Sequence, residues 1–191
     1  MGAEYFERLY AADEDPWDFR TSDYEHRKYA ATVAAIEDLA PIDRALEVGC
    51  SIGELTARLA PLCRELVAVD CSAIAVARAR ERLAGTPHVR VEVRSVPDSI
   101  PEGPFDLIVC SEVLYYWSAP LLRTALGRLR ALLAPGGALL AVHWRGEVRH
   151  YPLDGAEAHR ILLEETDGLV HARSETTPRY LLDRLDRLAA P

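Results

Sequence analysis

The chain has 191 residues, 49% hydrophobic and 27% charged, with a formal net charge of −8. This is enough for one domain with a real core. No apolar run approaches the ~20 residues of a membrane span, and the acidic balance argues against a duplex-binding surface.

The first residues, Met1-Gly2-Ala3-Glu4, carry neither a basic region nor an apolar signal core. Cys50, Cys63, Cys71 and Cys110 form no C-x-x-C pair. Reduced, buried thiols and a cytoplasmic setting are therefore expected. No histidine/cysteine set has metal-ligand spacing.

Tyr5, Phe6, Leu9 and Tyr10 make a helical stripe over 3–12. Asp13-Glu14-Asp15-Pro16 breaks it, and Trp17 and Phe19 follow in a loop. Ser22 and Glu25 read as a capping box opening a helix with Tyr29, Val33, Ile36 and Leu39 on one side, which stops before Pro41. These residues are too few for a domain but enough for a cover. From residue 44 the pattern alternates. Strand 44–49 leads to helix 53–62, strand 65–70 to helix 72–84, and strand 88–94 follows. After the proline-rich link 95–104, strand 105–110 leads to helix 119–133, which Pro135-Gly136-Gly137 ends before strand 138–143. Asp154 and Glu157 form a second capping box for helix 155–165. Strands apolar on both faces, alternating with helices, predict a doubly wound, mostly parallel sheet. The tail 169–188 reads as two strands joined near Pro178 or as a strand and a helix, and on spacing alone Leu181, Leu182, Leu185 and Leu188 fit a helix.

The turn after the first strand is Glu47-Val48-Gly49-Cys50-Ser51-Ile52-Gly53-Glu54. The dinucleotide fingerprint G-x-G-x-x-G would need glycines where Ser51 and Glu54 stand. An acid two residues before the first glycine repels a pyrophosphate and attracts an ammonium group. The turn therefore suits S-adenosylmethionine, which has an amino group, a sulfonium and no phosphate, better than NAD. Asp70, 21 residues after Gly49, can accept both ribose hydroxyls of either cofactor.

At this point the chain resembles the class I S-adenosylmethionine-dependent methyltransferases. The resemblance rests on Glu47–Gly53, Asp70, Phe105-Asp106-Leu107-Ile108-Val109-Cys110-Ser111-Glu112-Val113-Leu114 and Leu133-Ala134-Pro135-Gly136-Gly137. It implies a Rossmann-like, seven-stranded sheet of order 3-2-1-4-5-7-6 with the last strand antiparallel, and so a hairpin of strands 168–176 and 179–187. It also implies a single domain over 1–191, with 1–41 as helical cover and 42–191 as core. Asp15-Pro16-Trp17, Tyr24-Glu25-His26-Arg27-Lys28-Tyr29 and Glu112-Val113-Leu114-Tyr115-Tyr116 are similar to the nodulation protein S group. Those enzymes N-methylate a deacetylated chitooligosaccharide.

Ligands on such sheets bind outside the carboxyl ends of the strands. The expected cofactor contacts are Glu47, Gly49, Cys50, Ser51, Gly53, Asp70, Cys71, Ser72, Ser111, Glu112 and Val113. Trp17, Tyr24 and Arg27 join them if the cover folds over the cofactor. Ser95 stands where the family often has an acid for the adenine amino group, with Val96 as an apolar wall. Glu112, Tyr115 and His143 are the candidate catalytic groups, and Glu112 is equally placed by sequence to pair with Arg27 or Lys28. Tyr115, Tyr116, Trp144 and Arg145 are the candidate acceptor contacts; Arg149 and His150 are weaker ones. His26, His88, His159 and His171 read as exposed and without a role. The expected activity is methyl transfer to a small molecule, foremost an amine of an amino sugar. O-methylation, NAD-dependent oxidoreduction and a non-catalytic binding protein are the alternatives.

Overall fold

The computed structural model describes residues 1–146 and 150–189. The chain divides into two units, Gly2–Ser95 and Val96–Pro191, the latter together with Met1. The first unit holds α1 (Ala3–Ala12), α2 (Asp23–Ala34), β1 (Ile42–Val48), α3 (Glu54–Leu59), β2 (Cys63–Asp70), α4 (Ala73–Arg82) and β3 (Val89–Val93). β2 pairs in parallel with β1 and with β3. The last residues of β1 and β2 are buried in unbroken runs, so both faces of these strands are covered, as a parallel sheet requires.

The stripe on α1 finds its partners within this unit. Tyr10 packs with Ile52 and Ala75, and Phe6, Trp17 and Phe19 pack against that cluster. Each such side chain contributes roughly 1.5–3 kcal/mol when fully buried. Ser22 caps α2 by accepting from the Glu25 N–H at 3.4 Å, while the Glu25 carboxylate takes the buried Lys28 ammonium at 2.9 Å. α2 ends earlier than its stripe suggests. Ile36 leaves the helical region, a 3-10 turn follows at Glu37–Leu39, and Ala40 is extended. Pro41 drives the residue before it, Ala40, out of the helical region, whereas the α-helix itself already ends at Ala34, before Ile36 leaves the helical path.

The second unit holds β4 (Phe105–Ser111), α5 (Ala119–Ala131), β5 (Leu133–Trp144), α6 (Gly155–Glu164), β6 (Leu169–Thr176) and β7 (Tyr180–Arg187). β4 and β5 are parallel, and β7 runs antiparallel to both β5 and β6. The tail is therefore the hairpin that the family resemblance implied. α6 opens with the expected capping box, in which Asp154 accepts from Glu157 N at 2.8 Å and Glu157 accepts from Asp154 N at 3.2 Å. One punctuation signal behaves differently from expectation. Pro135-Gly136-Gly137 does not separate helix from strand but lies inside β5, where the register against β4 shifts between Phe105 and Leu107. Gly136 has a φ of +80°, and a Cβ on Gly137 would sit 2.9 Å from the Phe105 carbonyl oxygen. Glycines let this irregularity form where other residues would clash.

The first unit has the strand order β3-β2-β1 and the second β4-β5-β7-β6, giving a seven-stranded sheet of order 3-2-1-4-5-7-6. Among the described residues no helix is long and apolar enough to cross a membrane.

Candidate active site

In the first unit the site begins where β1 ends. Gly49 N and Cys50 N donate to the Val69 carbonyl at 2.8 and 3.0 Å, folding the turn back over β2. Gly49 and Gly53 have φ of +77° and +82°, a region that favours glycine. Gly53 also packs close, since a Cβ there would lie 3.2 Å from that of Ala79. Ser51 adopts φ +52° without being glycine, a costly backbone state that concentrates at functional sites. Asp70 holds it there. One carboxylate oxygen accepts from Ser51 N at 2.9 Å and the other from Ser72 N at 2.9 Å. The Cys71 N–H is a third backbone donor to this carboxylate, which leaves about one of its four acceptor sites for a ligand. Ser72 itself caps α4, accepting from Ala75 N at 3.1 Å. Glu54 is held by Arg58 at 3.1 Å and by Arg82.

Glu47 lies at the end of β1 and is 2% exposed. Burial lifts its carboxyl to about 8, and Asp70 adds to the rise while the Thr56 hydroxyl tempers it. Even so, neither Glu47 Oε2 nor Thr56 Oγ1 meets a hydrogen-bond partner of good geometry among the described residues. A buried acceptor without a donor is costly, and one beside a glycine turn is suited to a cation or an N–H donor supplied from outside. The Cys50 thiol is pushed well up by burial and by Asp70 and Glu47, so it is no nucleophile.

Two contributors from α1 carried no motif in the sequence. Glu7 accepts from Ser72 Oγ at 2.8 Å, Ala73 N at 2.8 Å and Ile74 N at 3.3 Å, occupying the amino end of α4 where an acid is favoured. The Tyr10 hydroxyl donates to Ser51 Oγ. The i, i+4 spacing of Phe6 and Tyr10 signalled a buried face but not what it would cover. Trp17 stacks on Phe19 at 5.5 Å and meets Tyr10 edge-on. Tyr24 lies under the Lys28 ammonium. Arg27 and Ser95 are exposed, and Cys71 is half-buried, with its thiol pushed up to about 12 by burial and by Asp70.

In the second unit the carboxyl end of β4 turns sharply. Glu112 has φ +56°, and its N–H donates to the Val142 carbonyl at 2.9 Å. Its carboxylate accepts from Trp144 N at 3.0 and 3.1 Å and from the Tyr115 hydroxyl. Burial and the Glu112 charge push the Tyr115 phenol well up. Tyr115 stacks on Tyr151 at 5.3 Å and lies edge-on to Tyr116 at 4.8 Å, and the Tyr116 and Tyr151 hydroxyls are 3.4 Å apart. Tyr151 thus joins this aromatic group, although its loop context in the sequence gave no periodic signal.

His143 does not stand at the mouth as a base. Its ring is fully buried, with Nε2 accepting from Val113 N at 3.3 Å and Leu114 N at 3.0 Å, and Nδ1 lying 3.0 Å from His159 Nε2. His159 is likewise not exposed as its sequence context suggested. It is 3% exposed and bonds Asp183 at 2.6 Å. The stripe Gly155, Ala158, His159 and Leu162 placed it on the covered face of α6, a signal legible in the spacing. Arg145 is exposed and donates to the Thr177 carbonyl at 3.2 Å, toward the β6–β7 turn. The Trp144 ring packs against Gly146, where a Cβ would clash at 2.0 Å. Arg149 lies outside the described residues.

A sheet in the order 3-2-1-4-5-7-6, with a glycine turn after its first strand and an acid closing its second, is the Rossmann-like architecture of the methyltransferases. Within that class the chain belongs to the nodulation protein S family, whose profile matches residues 3–179. It is 37% identical over 130 residues to nodulation protein S of Sinorhizobium fredii, covering 68% of this chain but only 60% of that protein. It is 35% identical over 173 residues to nodulation protein S of Bradyrhizobium diazoefficiens, covering 89% and 82%. Its structure superposes on the N-methyltransferase NodS from Bradyrhizobium japonicum WM9 in complex with S-adenosyl-L-homocysteine. The TM-score is 0.85 at 26% identity, and 97% of each chain is covered.

Proposed function

We propose that this protein is an S-adenosylmethionine-dependent N-methyltransferase acting on a small amine, foremost the amine of an amino sugar. The observation that carries the reading is the buried, partnerless Glu47 Oε2 beside the Gly49–Gly53 turn. An ammonium group stabilises the carboxylate form of Glu47, whereas a pyrophosphate opposes it. Family membership and the likeness to an N-methyltransferase crystallised with S-adenosyl-L-homocysteine support the same cofactor.

When bound, S-adenosylmethionine supplies an electrophilic methyl group on a sulfonium. The residues of this chain bind, orient and handle the proton. Glu47 accepts from the amino group, and Gly49, Cys50, Ser51 and Gly53 present the turn. Asp70 turns its remaining acceptor capacity to the ribose, flanked by Cys71 and Ser72. Ser95 and Val96 are assigned to the adenine, Ser111 and Val113 to the cofactor as well, and Trp17, Tyr24 and Arg27 to its cover. Tyr115, Tyr116, Tyr151 and Trp144 receive the acceptor. An amine arriving as an ammonium must lose a proton before its lone pair attacks, and the Glu112 carboxylate takes it. The rest of the rate comes from alignment and exclusion of water.

Titration calorimetry tests the cofactor half. S-adenosylmethionine and S-adenosylhomocysteine bind, NAD does not, and Asp70→Ala abolishes binding while the chain still unfolds in one cooperative thermal transition, at a lower midpoint. Undiminished binding by Asp70→Ala, or none by the unaltered protein at millimolar ligand, would sink the reading.

A further inference from the structure

The second unit contains a line of polar side chains that the reaction above does not use. It runs Val113 and Leu114 N–H, His143, His159, Asp183, His171, and draws on the turn after β4, then β5, α6, β7 and β6. The spacings are 3.3 and 3.0 Å into His143 Nε2, 3.0 Å from His143 Nδ1 to His159 Nε2, 2.6 Å from His159 Nδ1 to Asp183, and 2.7 Å from Asp183 to His171 Nε2. His143, His159 and Asp183 are 0%, 3% and 4% exposed; only His171 reaches the surface.

The two ends fix the direction of every bond between them. Backbone N–H groups can only donate, so His143 Nε2 must be a bare lone pair. The proton of a neutral ring is then on Nδ1 and goes to His159 Nε2. His159 must carry its own proton on Nδ1, where the Asp183 carboxylate accepts it. Burial opposes ionisation of Asp183, but its hydrogen bonds from His159, Ser174 and His171 hold it below the usual carboxylate range. One assignment satisfies all four side chains. The opposite tautomer of His143 would set an N–H against two N–H donors.

We infer that His143 is a positioning residue, locked as its Nδ1–H tautomer by His159 and Asp183, whose bare Nε2 holds the 112–116 turn that carries Glu112 and Tyr115. The need for such a hold is local. Glu112 is in the left-handed region, the 3-10 turn Leu114–Tyr116 is buried, and two N–H groups at its start point inward. Trp144 N grips the Glu112 carboxylate from the residue after His143, so β5 fixes both the backbone and the side chain of this turn. His159 and Asp183 act at one and two removes, as the outer partners of a metal-bound histidine do for its tautomer.

The bearing on catalysis rests on the proposed function, whereas the tautomer and the turn are measurable without cofactor or acceptor. Nitrogen-15 NMR of the full chain at neutral pH should show His143 protonated on Nδ1 and bare on Nε2. A protonated Nε2 overturns the inference. Amide hydrogen exchange then reads the turn. His143→Phe, which offers no acceptor, should speed exchange at Val113 and Leu114 by at least about 10-fold, whereas the side-chain oxygen of His143→Gln should keep it within about 3-fold. Equal exchange in the two variants overturns it as well. In a methyl-transfer assay on a deacetylated chitooligosaccharide, His143→Phe lowers kcat and His143→Gln restores it, with cofactor KM within about 3-fold throughout. Equal loss in both contradicts the positioning role. Absence of transfer by the unaltered protein, with the tautomer as stated, sinks the functional reading alone. Should His143→Phe fail to fold, the tautomer of the unaltered chain and the His143→Gln exchange decide the matter.

Discussion

Glu47 shows how one side chain can couple ligand, proton and fold. Its carboxyl sits at about 8 because burial disfavours the charge. An unfolded chain ionises the same group in the ordinary carboxyl range. Between those values the folded state binds more protons than the unfolded one, so stability falls as pH rises toward 8. Thermal or denaturant melts across that interval should show the decline, and Glu47→Gln should flatten it. An ammonium beside Glu47 reverses the preference and draws the carboxyl down. Cofactor binding at neutral pH is therefore expected to release about one proton. Calorimetry in two buffers of different ionisation enthalpy measures it, and Glu47→Gln should lose both the release and most of the affinity. Binding by the unaltered protein without proton release would contradict the assigned contact. Asp70 differs in kind. Backbone N–H groups already engage both of its oxygens, so its removal disturbs the turn as well as the ribose contact.

At the scale of elements, caps and covered strands were legible and long-range side-chain chemistry was not. The Asp154–Glu157 capping box was written in four residues and forms as read. Asp154→Ala should cost about 1 kcal/mol and Asp154→Asn much less, measurable as a shift in the denaturant midpoint at constant slope. β1, β2 and β4 announced themselves as runs apolar on both faces, whereas β3 alternates and leaves Val93 exposed. Pro135-Gly136-Gly137 misled because the same residues that end a helix also permit a strand to swerve, and only the carbonyl of Phe105 in a neighbouring strand decides between the two. α2 stopped at Ala34 although Ile36 and Leu39 continue its stripe, because apolar spacing does not separate an α-helix from the 3-10 turn that follows it at Glu37–Leu39. The hairpin 169–187 was ambiguous on periodicity, and the family resemblance settled it. The His143–His159–Asp183–His171 line was hidden because its members come from four elements. Only the covered face of α6 hinted that His159 is inside.

For the whole molecule, the order 3-2-1-4-5-7-6 and the family follow from observations independent of any acceptor. The first unit carries the features suited to an amino-acid-bearing sulfonium: a buried acid with one unsatisfied oxygen, a glycine turn and an acid closing β2. The second carries, on and beside the 112–116 turn, the Glu112 carboxylate with Tyr115, Tyr116 and Tyr151, a set suited to an amine that must shed a proton and lie against aromatic faces. The most direct test uses methyl-labelled S-adenosylmethionine with two chitooligosaccharides that differ only in one N-acetyl group. The account predicts label on the nitrogen of the free amine, none on the fully acetylated sugar, and loss of transfer in Glu112→Gln with cofactor binding retained. Label on a hydroxyl, equal labelling of both sugars, or full activity in Glu112→Gln would contradict it.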